Sequence, residues 1–157
     1  MIIVEDGSNV TGANSYVTES ELNTWLTDRG LSLTGSASVN LLLAMDYLET
    51  QRFIGVKSNT DQELQWPRTG VYIDSMAVGA DEIPKDLKLA QIQTAYSIDQ
   101  GANPMDISTP AVKREKVESL EVEYQDGAGR PVNVAINRYL SKLLISSGST
   151  VQVNIIV

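Results

Sequence analysis

The sequence predicts an α+β fold, mainly α, with about four helices and two or three short β-strands. Three observations carry that expectation. Four stretches place apolar residues at helical spacing, other segments alternate apolar and polar residues, and Gly-, Ser- and Pro-rich runs separate them. At 157 residues the chain is about one domain, read as a single unit over 1–157 with 147–157 as a C-terminal strand or interaction arm. Its 42% apolar content is enough for one modest core.

Residues 2–4 are β-branched and read as a short strand, and Asp6 to Asn14 reads as a loop. Thr18 and Glu21 stand at capping-box spacing, with Thr18 as N-cap. Val17 and Leu22 flank it where a hydrophobic staple packs. Leu22, Trp25 and Leu26 form the buried stripe of this first helix, and Gly30 ends it. A Ser/Gly/Thr linker spans 31–37. Ser38 is the expected cap of a second helix running to about Arg52, with Leu41, Leu42, Met45 and Leu48 on one face. Phe53 to Trp66 reads as a long loop, and Trp66-Pro67-Arg68-Thr69-Gly70 as an anchored turn.

Pro84 suits the first turn of a third helix, which runs through Leu87, Leu89, Ala90, Ile92, Ala95, Tyr96 and Ile98 to Gly101. Its apolar residues wrap more than one face, so this helix is expected at the centre. A loop with two prolines covers 102–110. In 117–124 Leu120, Val122 and Tyr124 face one way and Ser119, Glu121 and Glu123 the other, the pattern of a half-buried strand. Asp126-Gly127 and Gly129 mark a turn. A fourth helix is predicted over roughly 133–146, with Ile136, Tyr139, Leu140, Leu143 and Leu144 as its stripe. The last segment alternates Val151, Val153, Ile155 and Val157 with Thr150, Gln152 and Asn154.

Composition narrows the chemistry. There is no cysteine and no histidine, which removes thiolate chemistry and the commonest general base and metal ligand. The net charge is −8; residues 1–80 carry ten acids and four bases, residues 81–157 ten acids and eight bases. A nucleic-acid binder normally shows a basic patch, because neutralising phosphate supplies most of its affinity. The acidic balance argues against that role and leaves room for DNA passing through an acidic channel. The apolar start Ile2-Ile3-Val4 is too short for a signal peptide, and no apolar run approaches the ~20 residues of a membrane span, so a protein made in the cytoplasm is expected.

No motif assembles a catalyst, and neither an enzyme, a cofactor nor a metal is expected. Asp46 and Glu49 near Arg52 read as a solvated helix face with i,i+3 pairing between Glu49 and Arg52. Asp6-Gly7-Ser8-Asn9 looks like the start of a calcium loop, but its twelfth position falls at Val17, so a turn is expected. Asp126-Gly127-Ala128-Gly129-Arg130 lacks the Gly-Lys-Ser/Thr ending of a phosphate loop. The basic run Lys113-Arg114-Glu115-Lys116 precedes the acidic face of Glu118, Glu121 and Glu123 and reads as a salt-bridging edge or subunit contact. Trp66 beside Pro67 reads as a core plug or an interface anchor before a base-stacking platform. The C-terminal strand has no guarding charge or proline, and either completes the internal sheet or adds to a neighbour's. The interface candidates are therefore Trp66, Arg68, Leu120, Val122, Tyr124, Val151, Val153, Ile155 and Val157.

The segments Ile2-Ile3-Val4-Glu5-Asp6-Gly7, Ala13-Asn14-Ser15-Tyr16-Val17, Ala44-Met45-Asp46-Tyr47-Leu48 with Arg52-Phe53, and Leu64-Gln65-Trp66-Pro67-Arg68-Thr69-Gly70-Val71 occur in that order, followed by Ile83-Pro84 and the strand from Val112-Lys113 to Tyr124. Together, over about residues 1–131, they resemble a family of tailed-bacteriophage head and neck proteins, some of whose members are labelled DnaT-like single-stranded-DNA-binding proteins. The resemblance implies a head-completion adaptor, a head-to-tail connector of the virion neck. Such a protein forms a homo-oligomeric ring, commonly a dodecamer, joins the portal protein to the next neck or tail component, and lets DNA pass without specific binding. The second reading is a single-stranded-DNA-binding protein of phage replication. The family supplies no catalytic residues to carry over.

Overall fold

Helix α1 spans Glu19–Thr27, and both of its ends are built by the residues that predict them. The Glu21 N–H donates to Thr18 Oγ1 at 3.0 Å while the Thr18 N–H donates to Glu21 Oε2 at 2.7 Å. These two bonds satisfy donors that a helix start leaves open. Val17 and Leu22 are fully buried beside them, as a staple requires. At the other end Gly30 adopts φ +64°. Its N–H donates to the Thr27 carbonyl and the Leu31 N–H to the Leu26 carbonyl, both at 3.0 Å, which is the Schellman closure.

The structure is a computed structural model and describes residues 1–105 and 134–146. Helix α2 spans Ala37–Glu49, and its cap is Ser36, not Ser38. Ser36 has the extended backbone a cap needs, while Ser38 already lies in the first turn. The start of α2 is held from a distance. Asp99 accepts from the Thr34 and Gly35 N–H groups at 2.8 and 2.7 Å and from Asn40 Nδ2 at 3.0 Å. The Thr34 N–H leads the bonds that hold the Asp99 carboxyl below the usual aspartate range.

The strands arise where the sequence reads as loop and turn. Val56–Lys57 (β1) pairs antiparallel with Arg68–Thr69 (β2), and Tyr72–Ile73 (β3) with Met76–Ala77 (β4). Each strand has two residues, too few to show alternation. The turn between β3 and β4 places Asp74 and Ser75 at φ +51° and +67°, as a two-residue hairpin demands. The strand expected over 2–4 reduces to a single parallel bridge between Val4 and Ser15. Those expected over 117–124 and 150–157 lie outside the described residues.

Helix α3 spans Lys85–Asp99, and α4 spans Val134–Leu140. Helix α3 packs against both α2 and α4, which is why apolar residues wrap it, and Leu87, Ala90, Ile92 and Ala95 are all buried. Helix α4 is shorter than its apolar stripe suggests. Past Leu140 the chain turns so that Leu144 bridges Phe53, with the Ile54 N–H donating to the Leu143 carbonyl at 2.9 Å. Leu143 is fully buried but sits beyond the helix. Tyr16, Leu22, Leu41, Leu48, Trp66, Leu87 and Leu140 complete the solvent-free core. Among the described residues no helix is long and apolar enough to cross a membrane.

Candidate functional site

The Trp-Pro-Arg turn, the most distinctive element of the sequence, faces inward. Trp66 is fully buried and meets Phe53 edge to face at 5.9 Å between ring centroids. Its backbone N–H donates to the Tyr16 hydroxyl oxygen at 3.1 Å, and the Tyr16 O–H donates to Glu49 Oε1 at 3.1 Å. The Gln65 N–H donates to the same carboxylate oxygen at 3.1 Å. Burial, reinforced by Glu49, pushes the Tyr16 hydroxyl well above the usual tyrosine range. Burial likewise raises Glu49, against the bonds from Gln65 and Tyr16.

Arg68 is spent on backbone. Its Nε donates to the Ile54 carbonyl and its Nη2 to the Gly55 carbonyl, both at 2.8 Å. Its Nη1 reaches the Gln65 carbonyl at 3.1 Å and Gln65 Oε1 at 3.0 Å. Trp66 and Arg68 therefore lock the turn against α2 and the 53–55 segment, and both side chains are buried within this chain. Glu49 also departs from expectation. It points at Tyr16 instead of pairing with Arg52, because burial leaves Tyr16 and Gln65 as its donors. The ion pairs among the described residues are Lys88–Glu21 and Lys142–Asp74. The remaining interface candidates, Leu120, Val122, Tyr124, Val151, Val153, Ile155 and Val157, lie outside the described residues, as does the 113–116 basic run.

The Asp6–Asn9 segment is a turn. Asp6 Oδ1 accepts from the Ser8 N–H at 3.0 Å and the Ser8 hydroxyl at 2.6 Å. The fully buried Glu5 organises the loop by accepting from the Gly7, Asn9 and Val10 N–H groups at 2.8, 3.0 and 2.9 Å. Both carboxylates are thus committed to backbone donors. Among the described residues no cluster of acids is placed to hold a metal.

A different surface concentrates positive charge. An open groove of about 370 Å³ lies between the end of α1 and the first turns of α3, lined by Thr24, Trp25, Arg29, Lys85, Lys88, Leu89 and Ile92 among others. Arg29 sits in the turn that closes α1, one helical turn beyond Trp25. Its guanidinium carbon lies 4.2 Å from the Trp25 ring centroid. Its Nη1 also donates to the Trp25 carbonyl at 3.0 Å, so the cation is fixed both to the ring and to the open end of the helix. The half-buried Trp25 ring leans on Tyr96, at 6.4 Å and 53°. Trp25 Nε1 has no partner among the described residues.

Lys85 is exposed, in the first turn of an α3 whose start carries no side-chain cap. Lys88 lies 3.5 Å from Glu21 Oε1 across the groove. Burial works against ionisation of Glu21, but its bonds from Thr18 and the nearby Lys88 outweigh this and hold its carboxyl below the usual glutamate range.

Arg29, Lys85 and Lys88 are three of the eight lysines and arginines among the described residues. With Glu21 and Asp28 they give the groove a net charge of +1 on a chain of −8. An aromatic ring, a flat cation stacked on it and two lysines make a surface suited to one unpaired base and its flanking phosphates.

Sequence reasoning placed Trp25 in the buried stripe and missed this groove. The available signal was the i,i+4 spacing of Trp25 and Arg29, which brings a cation over a ring, and the i,i+3 spacing of Lys85 and Lys88. What joins the two pairs is tertiary packing.

The family model described as "Putative DnaT-like ssDNA binding protein" matches residues 1–156. No curated protein and no solved structure matches the chain. The match overturns the expectation of a structural neck protein. The portal, tail-component and ring partners have no support, and the family description names single-stranded DNA where the expectation had DNA pass without specific binding.

Proposed function

The chain belongs to the DnaT-like single-stranded-DNA-binding family, and on that premise we propose that it binds single-stranded DNA in the groove between α1 and α3. The observation that carries the placement is the Trp25–Arg29 stack flanked by Lys85 and Lys88. Arg29 presents an exposed planar cation whose guanidinium carbon lies over the Trp25 ring. A base stacks on such a plate only when it is not paired and stacked within a duplex, which gives a preference for single strands without reading sequence. Lys85 and Lys88 supply charge for the phosphates on either side. The reading is of a binding protein, and no catalytic step belongs to it.

The acidic remainder of the surface is compatible with this role. Net charge is a property of the whole molecule, whereas counterion release depends on the cations that touch the strand. Three such cations predict a slope of log K against log salt of about −2, so binding weakens roughly 15-fold from about 50 to 200 mM salt. The test is fluorescence anisotropy with a labelled oligothymidylate at both salt concentrations. Arg29→Ala is expected to weaken binding about tenfold or more, in line with the loss of one stacking plate. No binding at the lower salt, or equal binding by wild type and an R29A/K85A/K88A triple variant, overturns the proposal.

A further inference from the structure

Resting on that reading of the groove, we infer that Glu21 limits the strength of strand binding by competing with phosphate for Lys88. The three cations of the groove are not equivalent. Arg29 is held by the Trp25 ring and carbonyl, neither of which carries a negative charge. Lys85 has no ion pair among the described residues. Lys88 alone faces a carboxylate, at 3.5 Å.

That carboxylate cannot swing aside without cost to the fold. Glu21 Oε2 accepts from the Thr18 N–H at 2.7 Å and the Thr18 hydroxyl at 3.0 Å, the bonds that start α1. Oε1 is left over and points at Lys88. The same side chain thus caps a helix with one oxygen and occupies a phosphate-binding lysine with the other. The pair is long and both side chains are partly exposed, so a phosphate can displace it. The displaced carboxylate stays in the groove, because Thr18 keeps it there, and repels the phosphate that replaced it. Glu21 therefore opposes binding twice, by holding Lys88 beforehand and by facing the phosphate afterwards. The consequence is a strand that is bound loosely and given up readily.

Glu21→Gln separates the two duties. Glutamine keeps an oxygen for the Thr18 N–H, as capping boxes allow, and removes the charge. With an oligothymidylate of about 16 nucleotides as the probe, E21Q is expected to bind about three- to fivefold tighter than wild type. Its salt slope is expected to stay near the three-cation value of about −2, because Lys88 meets phosphate in both proteins and only the opposing carboxylate charge is gone. The gain is routed through Lys88, so it should vanish in the K88A background, where E21Q/K88A binds no tighter than K88A. An E21Q protein that binds no tighter than wild type overturns the inference, and so does a gain that persists undiminished without Lys88. If R29A still weakens binding in either case, the placement of the strand in the groove stands while the role of Glu21 falls. If wild type does not bind the oligonucleotide, both fall. A thermal melt of E21Q within about 2 °C of wild type shows that the α1 cap survives and ties any change in binding to the charge.

Discussion

Removing the Tyr16 hydroxyl by Tyr16→Phe is expected to destabilise the protein by about 2–4 kcal/mol. The ring stays buried, so the apolar packing is unchanged and the loss is confined to one oxygen. That oxygen accepts the Trp66 N–H and donates to Glu49, each at 3.1 Å. Phenylalanine leaves a buried backbone donor unpaired, at a cost of about 1–3 kcal/mol, and removes a bond to a carboxylate worth about 1.5–3 kcal/mol. The two losses overlap because Glu49 retains the Gln65 N–H, so the expectation is held to the low end of their sum. For a chain of 157 residues this lowers Tm by roughly 5–15 °C. Urea unfolding measures it directly: the midpoint should drop with the m-value unchanged, since the surface exposed on unfolding is the same. A Y16F protein within about 0.5 kcal/mol of wild type would show that the Trp66–Tyr16–Glu49 chain does not hold the Trp-Pro-Arg turn, and the structural reading of that motif would be wrong.

Glu49→Gln tests the same network through pH. Burial holds the Glu49 carboxyl above its ordinary range, so its contribution to stability is fully present below the ordinary glutamate value and is lost as pH rises through the raised one. The amide side chain of E49Q accepts from Tyr16 and Gln65 without ionising. The difference in Tm between E49Q and wild type should therefore grow in favour of the variant from pH 4 to pH 7, and a constant difference contradicts the assignment. Gly55→Ala should cost about 2–4 kcal/mol by urea unfolding, because Gly55 holds φ +72° and a Cβ there would collide with the Thr69 carbonyl and the Val71 side chain. A loss below about 1 kcal/mol would mean that the β1–β2 pairing tolerates a shifted backbone.

The legible parts of the fold were the local ones. Thr18, Glu21 and Gly30 delimit α1 because capping and Schellman closure involve residues within one turn of each other. The central place of α3 was readable because a helix contacted on two sides needs apolar residues on two sides. The cap of α2 was misplaced by two residues. Ser36 and Ser38 are equivalent by sequence, and Asp99, reaching Thr34, Gly35 and Asn40 from the far end of α3, fixes where the helix begins. The hairpins over 56–77 escaped because two-residue strands carry no period.

The site was obscured for a related reason. The two tryptophans divide differently from what their spacing suggests. Trp66 beside a proline suggests a core plug or an anchor for a partner, and the structure makes it the plug, with Phe53 edge to face against its ring and Tyr16 bonded to its backbone. Trp25 has the spacing of a core residue, yet its ring is half-buried and carries Arg29 on its face. A net charge of −8 suggested a surface that repels nucleic acid. That sum conceals a positive groove whose cations come from positions 29, 85 and 88 and meet only when α1 and α3 are packed. The adaptor reading followed from the resemblance to phage head and neck proteins, and the acidic balance disfavoured the DNA-binding label that the family match now supports.

The placement of the strand is tested most directly by following backbone amide resonances while unlabelled oligothymidylate is titrated into isotopically labelled protein. Shifts concentrated at Trp25, Arg29, Lys85 and Lys88, together with the Trp25 indole N–H, are the predicted result. Saturable shifts confined to another face, or a spectrum unchanged at low salt, would contradict it.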